Sequence, residues 1–164
     1  MSTKIAINGF GRIGRCVTRA LLDSKDSTLE LLAVNDLTEP QVLAHLLEFD
    51  SVHGRFGQSP QVSGSDIVVG DRRIRVLAEK DPSKLPWKDL GVDVVLECTG
   101  LFRSRETAGK HLAQGAKRVI ISAPGEKGID ATFCFGVNTD KYDPARHVVV
   151  SNASCTTNCL APLA

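Results

Sequence analysis

Two short stretches of this chain hold residue types that can do chemistry. The first is Ser151-Asn152-Ala153-Ser154-Cys155-Thr156-Thr157-Asn158-Cys159. Ser154 is a natural helix N-cap, which places Cys155 in the first turn of a helix. A thiol there meets the positive end of the helix dipole and free N–H groups, and both favour thiolate, the nucleophilic form. The same N–H groups are placed to stabilise an oxyanion on a carbonyl that Cys155 attacks. The hydroxyls of Ser154 and Thr156 flank the sulfur and could hold a small anion such as phosphate. Position alone leaves a second reading open, an inert buried thiol, which is what most cysteines are. Cys159, one helical turn on, is expected to pack; a Cys155–Cys159 bridge under oxidation is the less favoured alternative.

The second stretch is Gly9-Phe10-Gly11-Arg12-Ile13-Gly14, with G-x-G-x-x-G spacing. The first glycine lets the chain turn sharply off a strand. The second lets backbone approach a pyrophosphate with no Cβ in the way, and the third lets a helix pack closely on the strand. Free N–H groups at the helix start then face the phosphates. Asp36 follows 36 − 14 = 22 residues after Gly14, where an acidic side chain would hydrogen-bond an adenosine ribose. The plainer alternative is a β-α-β unit with a chance glycine turn and a surface aspartate.

Those residues need elements to carry them. Ile5-Ala6-Ile7 reads as a buried strand. Ile13, Cys16, Val17, Ala20 and Leu21 fall on one face of the helix that follows. Leu31-Leu32-Ala33-Val34 is a second strand ending at Asn35-Asp36. Thr38 and Gln41 suggest a capping box before a helix with Val42, Leu43, Leu46 and Leu47 on its apolar face, His45 lying at the surface. Asp66–Val69 and Arg73–Leu77 read as two strands around a tight turn. The prolines of 81–87 mark a loop. Val92–Cys98 is a further buried strand. A helix capped by Ser104 is expected to follow, with Ala108, His111 and Leu112 inward and Gly115 as its stop. His111 reads as a partly buried helix residue rather than a catalyst. Arg118–Ser122, Ala131–Gly136 and Val148–Val150 complete the strands. Apolar runs separated by helices argue for an α/β fold, a doubly wound, mainly parallel sheet covered on both faces. Asn8-Gly9, Asn35-Asp36, Thr99-Gly100, Ser122-Ala123 and Ser151-Asn152 all sit at strand ends and should line one rim, where such sheets bind ligands.

Composition narrows the class. The 164 residues are 42% apolar and 24% charged, and Lys+Arg exceed Asp+Glu by only 20 − 19 = 1. That balance points to neither nucleic acid nor an anionic membrane. No apolar run approaches a membrane span, and the first strand begins too early to leave room for a signal peptide. The five cysteines form no disulfide-framework pattern, so a cytoplasmic location is expected. No metal is expected.

Taken together, the stretches Asn8–Arg15, Asn35-Asp36-Leu37, Asp50-Ser51-Val52-His53-Gly54, Glu97-Cys98-Thr99-Gly100 and Ser151–Cys159 resemble one family, phosphorylating glyceraldehyde-3-phosphate dehydrogenase, from Lys4 to Ala164. The resemblance implies a Rossmann-type domain over residues 1–150 that binds NAD. Residues 151–164 would be the start of a second, catalytic domain, truncated at Ala164. It implies Cys155 as the nucleophile that attacks the aldehyde of glyceraldehyde 3-phosphate, in glycolysis or gluconeogenesis. Hydride transfer to NAD would leave a thioester, which inorganic phosphate cleaves to an acyl phosphate. Ser154 and Thr156 would contact the substrate or phosphate. Arg12 and Ile13 would offer backbone to the pyrophosphate, and Asp36 would hold the adenosine ribose. Lys80 and Ser122 fall where the family makes further cofactor contacts; arginine is common at the Lys80 position, and lysine offers a point charge instead of a fork. Family members form homotetramers. They are also much longer, and their catalytic histidine matches none of His45, His53, His111 or His147. The chain alone is therefore expected to be inactive, and an NAD-binding module without catalysis stays open as an alternative. So does the related erythrose-4-phosphate dehydrogenase, although Asn35-Asp36 favours the triose enzyme.

Overall fold

The computed structural model describes residues 2–24 and 28–164. The elements run in order as β1 Thr3–Asn8, α1 Arg12–Asp23, β2 Leu29–Asn35, α2 Pro40–Glu48, β3 Phe49–Asp50, β4 Gly54–Arg55, β5 Gln61–Ser63, β6 Asp66–Val69 and β7 Arg72–Leu77. Then come α3 Trp87–Leu90, β8 Val94–Glu97, α4 Arg105–Ala108, α5 Lys110–Ala113, β9 Arg118–Ile121, β10 Ala131–Thr132, β11 Val149–Ser151 and α6 Cys155–Leu160. Among the described residues nine strands form one sheet in the order β10-β11-β9-β8-β1-β2-β7-β6-β5, and β3 and β4 pair separately. From β10 to β7 every pairing is parallel; β7-β6-β5 is an antiparallel edge. Parallel strands require crossovers, which is why helices occupy both faces.

The strand residues alternate between two cores. Ile7 and Val34 face α1 and α2 and pack with Phe10, Leu43, Leu47 and Ile74. Ala6, Ala33 and Val95 face the other way, against Leu85, Trp87 and Val92. Further along that second face Val119, Ile121 and Val149 pack on Ala108. The doubly wound, mainly parallel sheet expected from the sequence is the one observed.

Three local expectations are corrected. The buried face of α1 is Gly14, Thr18, Arg19 and Leu22, while Ile13 is 50% exposed. The cause is Gly14: a Cβ there would run into the Gly9 carbonyl oxygen, so the helix meets β1 along its smallest residue, which leaves Ile13 and Ala20 exposed and Val17 half-buried against the core. Thr38 does not cap α2. Its N–H donates to Asp36 Oδ1, and the helix starts at Pro40, whose missing N–H costs nothing in a first turn; Val42 is exposed. The 81–87 segment holds a 3₁₀ turn, Pro82–Lys84, capped by Asp81, and delivers Trp87 as a fully buried residue.

Candidate functional site

The rim at the carboxyl ends of the parallel strands is built by the glycine turn. Gly9 has φ 93°, and a Cβ there would lie 2.6 Å from Thr99 N and 2.8 Å from Cys98 C, backbone atoms of the neighbouring strand end. Gly11 differs: a Cβ would meet nothing within 4 Å, so the second glycine faces open space. Gly11 is also the N-cap of α1 and offers no side chain to its first-turn N–H groups. Arg12 sends its guanidinium to Asp50 at 3.2 Å and Ser51 at 3.3 Å, so it turns only backbone toward the helix start. Asp36 binds the turn to β2, its Oδ2 accepting from Phe10 N–H at 2.8 Å.

Below this rim lies a buried polar network. Glu97, in β8, accepts from Asn8 Nδ2 at 2.6 Å, from Thr99 N–H at 2.8 Å and from the Thr99 hydroxyl. Its Oε2 also meets His111 Nε2 at 3.0 Å. The Trp87 indole N–H can only donate, and it donates to His111 Nδ1 at 2.9 Å, so Nε2 carries the ring proton toward Glu97. Asn8 Oδ1 accepts from Asn35 Nδ2 at 2.7 Å, and Asn35 exchanges two hydrogen bonds of 2.8 Å with the Glu79 backbone. His111, expected to be partly buried, is fully buried because it bridges this carboxylate and the indole.

Two clefts open on the rim. One, of about 370 Å³, is lined by Gly9, Gly11, Asp36 and Lys80 together with Asn8, Asn35, Leu37, Glu79, Cys98, Thr99, Leu101 and Phe102. The other, of about 470 Å³, is lined by Ile13, Ser122, Ser154 and Cys155 together with Val17, Leu96, Cys98, Ile120, Asn152, Ala153 and Asn158. Cys98 lines both, and the start of α1 stands between them. Thr156 lines neither; its hydroxyl pairs with that of Ser154 at 2.9 Å. Ser154 caps α6 as its sequence position predicts, accepting from Thr157 N–H at 2.9 Å. Cys155 is exposed in this chain, and so is Cys159, which was expected to pack. Burial pushes the Cys98 thiol up to about 11, with Glu97 adding to the rise and a Ser122 contact opposing it. No histidine lines the Cys155 cleft.

Sequence reasoning missed Asn8, Asn35, Glu97, Thr99 and Trp87 as one network, and Leu37 and Leu101 as exposed apolar walls of the first cleft. A glutamate inside the apolar run Val94–Cys98 was the available signal for the network. Among the described residues no cluster of three His, Cys, Asp or Glu groups could hold a metal, and no helix is long and apolar enough to cross a membrane.

The family model described as glyceraldehyde 3-phosphate dehydrogenase, NAD binding domain, matches residues 3–105. The glyceraldehyde-3-phosphate dehydrogenase of Kitasatospora aureofaciens is 60% identical over 162 residues, 99% of this chain and 48% of its own length. That of Geobacillus stearothermophilus is 58% identical over 164 residues, 100% of this chain and 48% of its own. Glyceraldehyde-3-phosphate dehydrogenase 1 of Bacillus subtilis (strain 168) is 56% identical over the same 164 residues, again 48% of its length. The chain spans about half the length of the curated relatives it matches.

Proposed function

Because the chain belongs to the glyceraldehyde-3-phosphate dehydrogenase family, we propose that it is the NAD-binding part of such an enzyme, residues 1–150, joined to its nucleophile segment, residues 151–164. One observation carries this reading. The two clefts meet at Cys98 on either side of the α1 N-terminus, with Asp36 and Lys80 in one and Cys155 in the other. A dinucleotide laid across the helix start would have its adenosine end at Asp36 and its nicotinamide end beside Cys155.

The residues present fit NAD. Gly11 leaves room for a pyrophosphate, and the uncapped N–H groups of Arg12 and Ile13 can donate to it. Asp36 retains acceptor capacity for ribose hydroxyls, and its charge would repel a 2′-phosphate. Lys80 and Ser122 lie on the cleft walls as further cofactor contacts.

The substrate proposed is glyceraldehyde 3-phosphate. The Cys155 sulfur attacks the aldehyde carbon, and the carbonyl oxygen takes a proton to give a thiohemiacetal. Bound NAD supplies the hydride acceptor that turns this adduct into a thioester. Inorganic phosphate then attacks the thioester carbon, releasing the Cys155 thiolate and an acyl phosphate. Ser154 and Thr156, whose hydroxyls flank the thiol, are proposed to hold the substrate or that phosphate. The base for the hydride step is not assigned to this chain: His111 is engaged with Glu97 and Trp87, and His147 with Asp143 N–H. The chain by itself therefore reads as a binding module bearing a reactive thiol. Asn35-Asp36 supports the triose over the erythrose substrate. All five cysteines are free thiols, which supports a cytoplasmic compartment. The family reading also brings a homotetramer.

Limiting iodoacetamide followed by peptide mapping tests the assignment. Cys155 should label first of the five thiols, and saturating NAD should change its rate while leaving Cys159 unaffected. Faster labelling of Cys16, Cys98, Cys134 or Cys159 would overturn it.

A further inference from the structure

The turn before Cys155 is held in a conformation its own residue disfavours. Ala153 has φ 59°, and it is the one non-glycine among the described residues in the left-handed region. There an L-residue's Cβ crowds the following carbonyl, so such a residue persists only where its surroundings over-determine it. On one side Ser151 Oγ accepts the Ala153 N–H at 3.0 Å, and that hydroxyl is itself fixed by donating to Ala123 O at 2.6 Å. On the other side Asn158 Nδ2 donates to Asn152 O at 2.8 Å and to Ser154 O at 2.9 Å, the carbonyls of the residues before and after Ala153. Asn158 Oδ1 faces the thiol of buried Cys134, with Sγ 3.5 Å away. Two carbonyls at one end and a thiol donor at the other determine which end of the carboxamide is nitrogen.

We propose that Asn158 is a positioning residue for Cys155. Its carboxamide pins the two carbonyls that bracket Ala153, keeps the turn left-handed, and so holds Cys155 toward the cleft; Cys134 sets the carboxamide's orientation. The proposal rests on reading Cys155 as the nucleophile. It makes a claim that a merely structural role does not: the need for Asn158 depends on residue 153. Glycine takes the left-handed conformation freely, so a glycine at 153 should make the clamp dispensable.

The test compares the unaltered chain with Asn158→Ala, Ala153→Gly and the double variant. The reading is the alkylation rate of Cys155 relative to Cys159, together with thermal midpoints. Asn158→Ala should lower the rate ratio about tenfold, the population cost of a left-handed alanine. Ala153→Gly alone should leave the ratio within about threefold, and the double variant should match Ala153→Gly within the same margin. An unchanged ratio in Asn158→Ala, or an equal fall with glycine at 153, would overturn the clamp. Should Asn158→Ala unfold, exposing Cys134 and Cys98 to label, Asn158→Asp serves instead. It keeps the shape but sets a carboxylate against the two carbonyls, and an unchanged ratio there would equally overturn the proposal. Coupling of 153 and 158 in the thermal midpoints, with Cys155 no faster than Cys159 in the unaltered chain, would sink the nucleophile reading instead. Fast Cys155 without that coupling would sink only the clamp.

Discussion

The two halves of the rim are anchored in opposite ways. At β1, β2 and β8 the polar groups below the glycine turn are buried and saturated: Glu97, Asn8, Asn35 and His111 answer one another across three strands. The turn before Cys155 has a thinner foundation. It rests on buried Ser151 and the Asn158 carboxamide, and it leads into a six-residue helix with no buried residue, whose last residue, Leu160, is 66% exposed. The cofactor platform thus inherits its geometry from the core of the sheet. The geometry at Cys155 is set by a few hydrogen bonds near the sheet's edge, Ser151 to Ala123 and Asn158 to Asn152 and Ser154 among them.

The sharpest way to break that comparison is at Gly9. Gly9→Ala would strain φ 93° and press a Cβ against Thr99 N at 2.6 Å, where the obstacle is the backbone of the central sheet. We expect a loss of more than ~3 kcal/mol by denaturant unfolding, with NAD binding abolished. Gly11→Ala meets nothing within 4 Å and should keep its stability while losing cofactor affinity. Equal behaviour of the two variants would remove the distinction between a structural and a ligand-facing glycine.

Next is Glu97→Gln, which sets an NH₂ either against Asn8 Nδ2 and His111 Nε2, which both donate, or against the Thr99 N–H. A cost of ~2–3 kcal/mol is expected, because a buried donor is left unpaired. A variant as stable as the parent would mean that the network is not what holds the rim.

A smaller effect is expected at the margin, through pH. Burial alone would raise the Asp130 carboxyl, but hydrogen bonds from Val149 and Val148 N–H and the Arg105 guanidinium outweigh it, and the net shift is downward from 3.8. A carboxyl lowered in the folded state contributes stability that is present above its unfolded value and lost as pH falls through its folded one. The thermal midpoint should therefore drop below about pH 4, and Asp130→Asn should flatten that part of the profile. An unchanged acid limb in the variant would remove Asp130 from the anchoring of β11. Smallest of all, Leu163→Ser should shift stability by no more than ~0.5 kcal/mol, since that side chain is 81% exposed.

Local features were legible in the sequence, and long-range ones were not. The glycine turn, the strand ends on one rim and the Ser154 cap are encoded by spacing within a few residues. Glu97 and Asn8 are 89 positions apart, so no periodicity announces their pairing. The outward turn of Ile13 follows from contact between Gly14 and Gly9, which a helical wheel does not contain. Ala153 is a harder case: propensity would place glycine at φ 59°, and only Ser151 and Asn158 make alanine tenable there.

The core-anchored half of the rim is proposed as the adenosine and pyrophosphate site for NAD. Titration calorimetry of the 164-residue chain with NAD and with NADP tests it most directly. We predict saturable binding at one site, tighter for NAD than for NADP, with the preference narrowed in Asp36→Gly. No heat with NAD, or NADP binding as tightly as NAD, would contradict it.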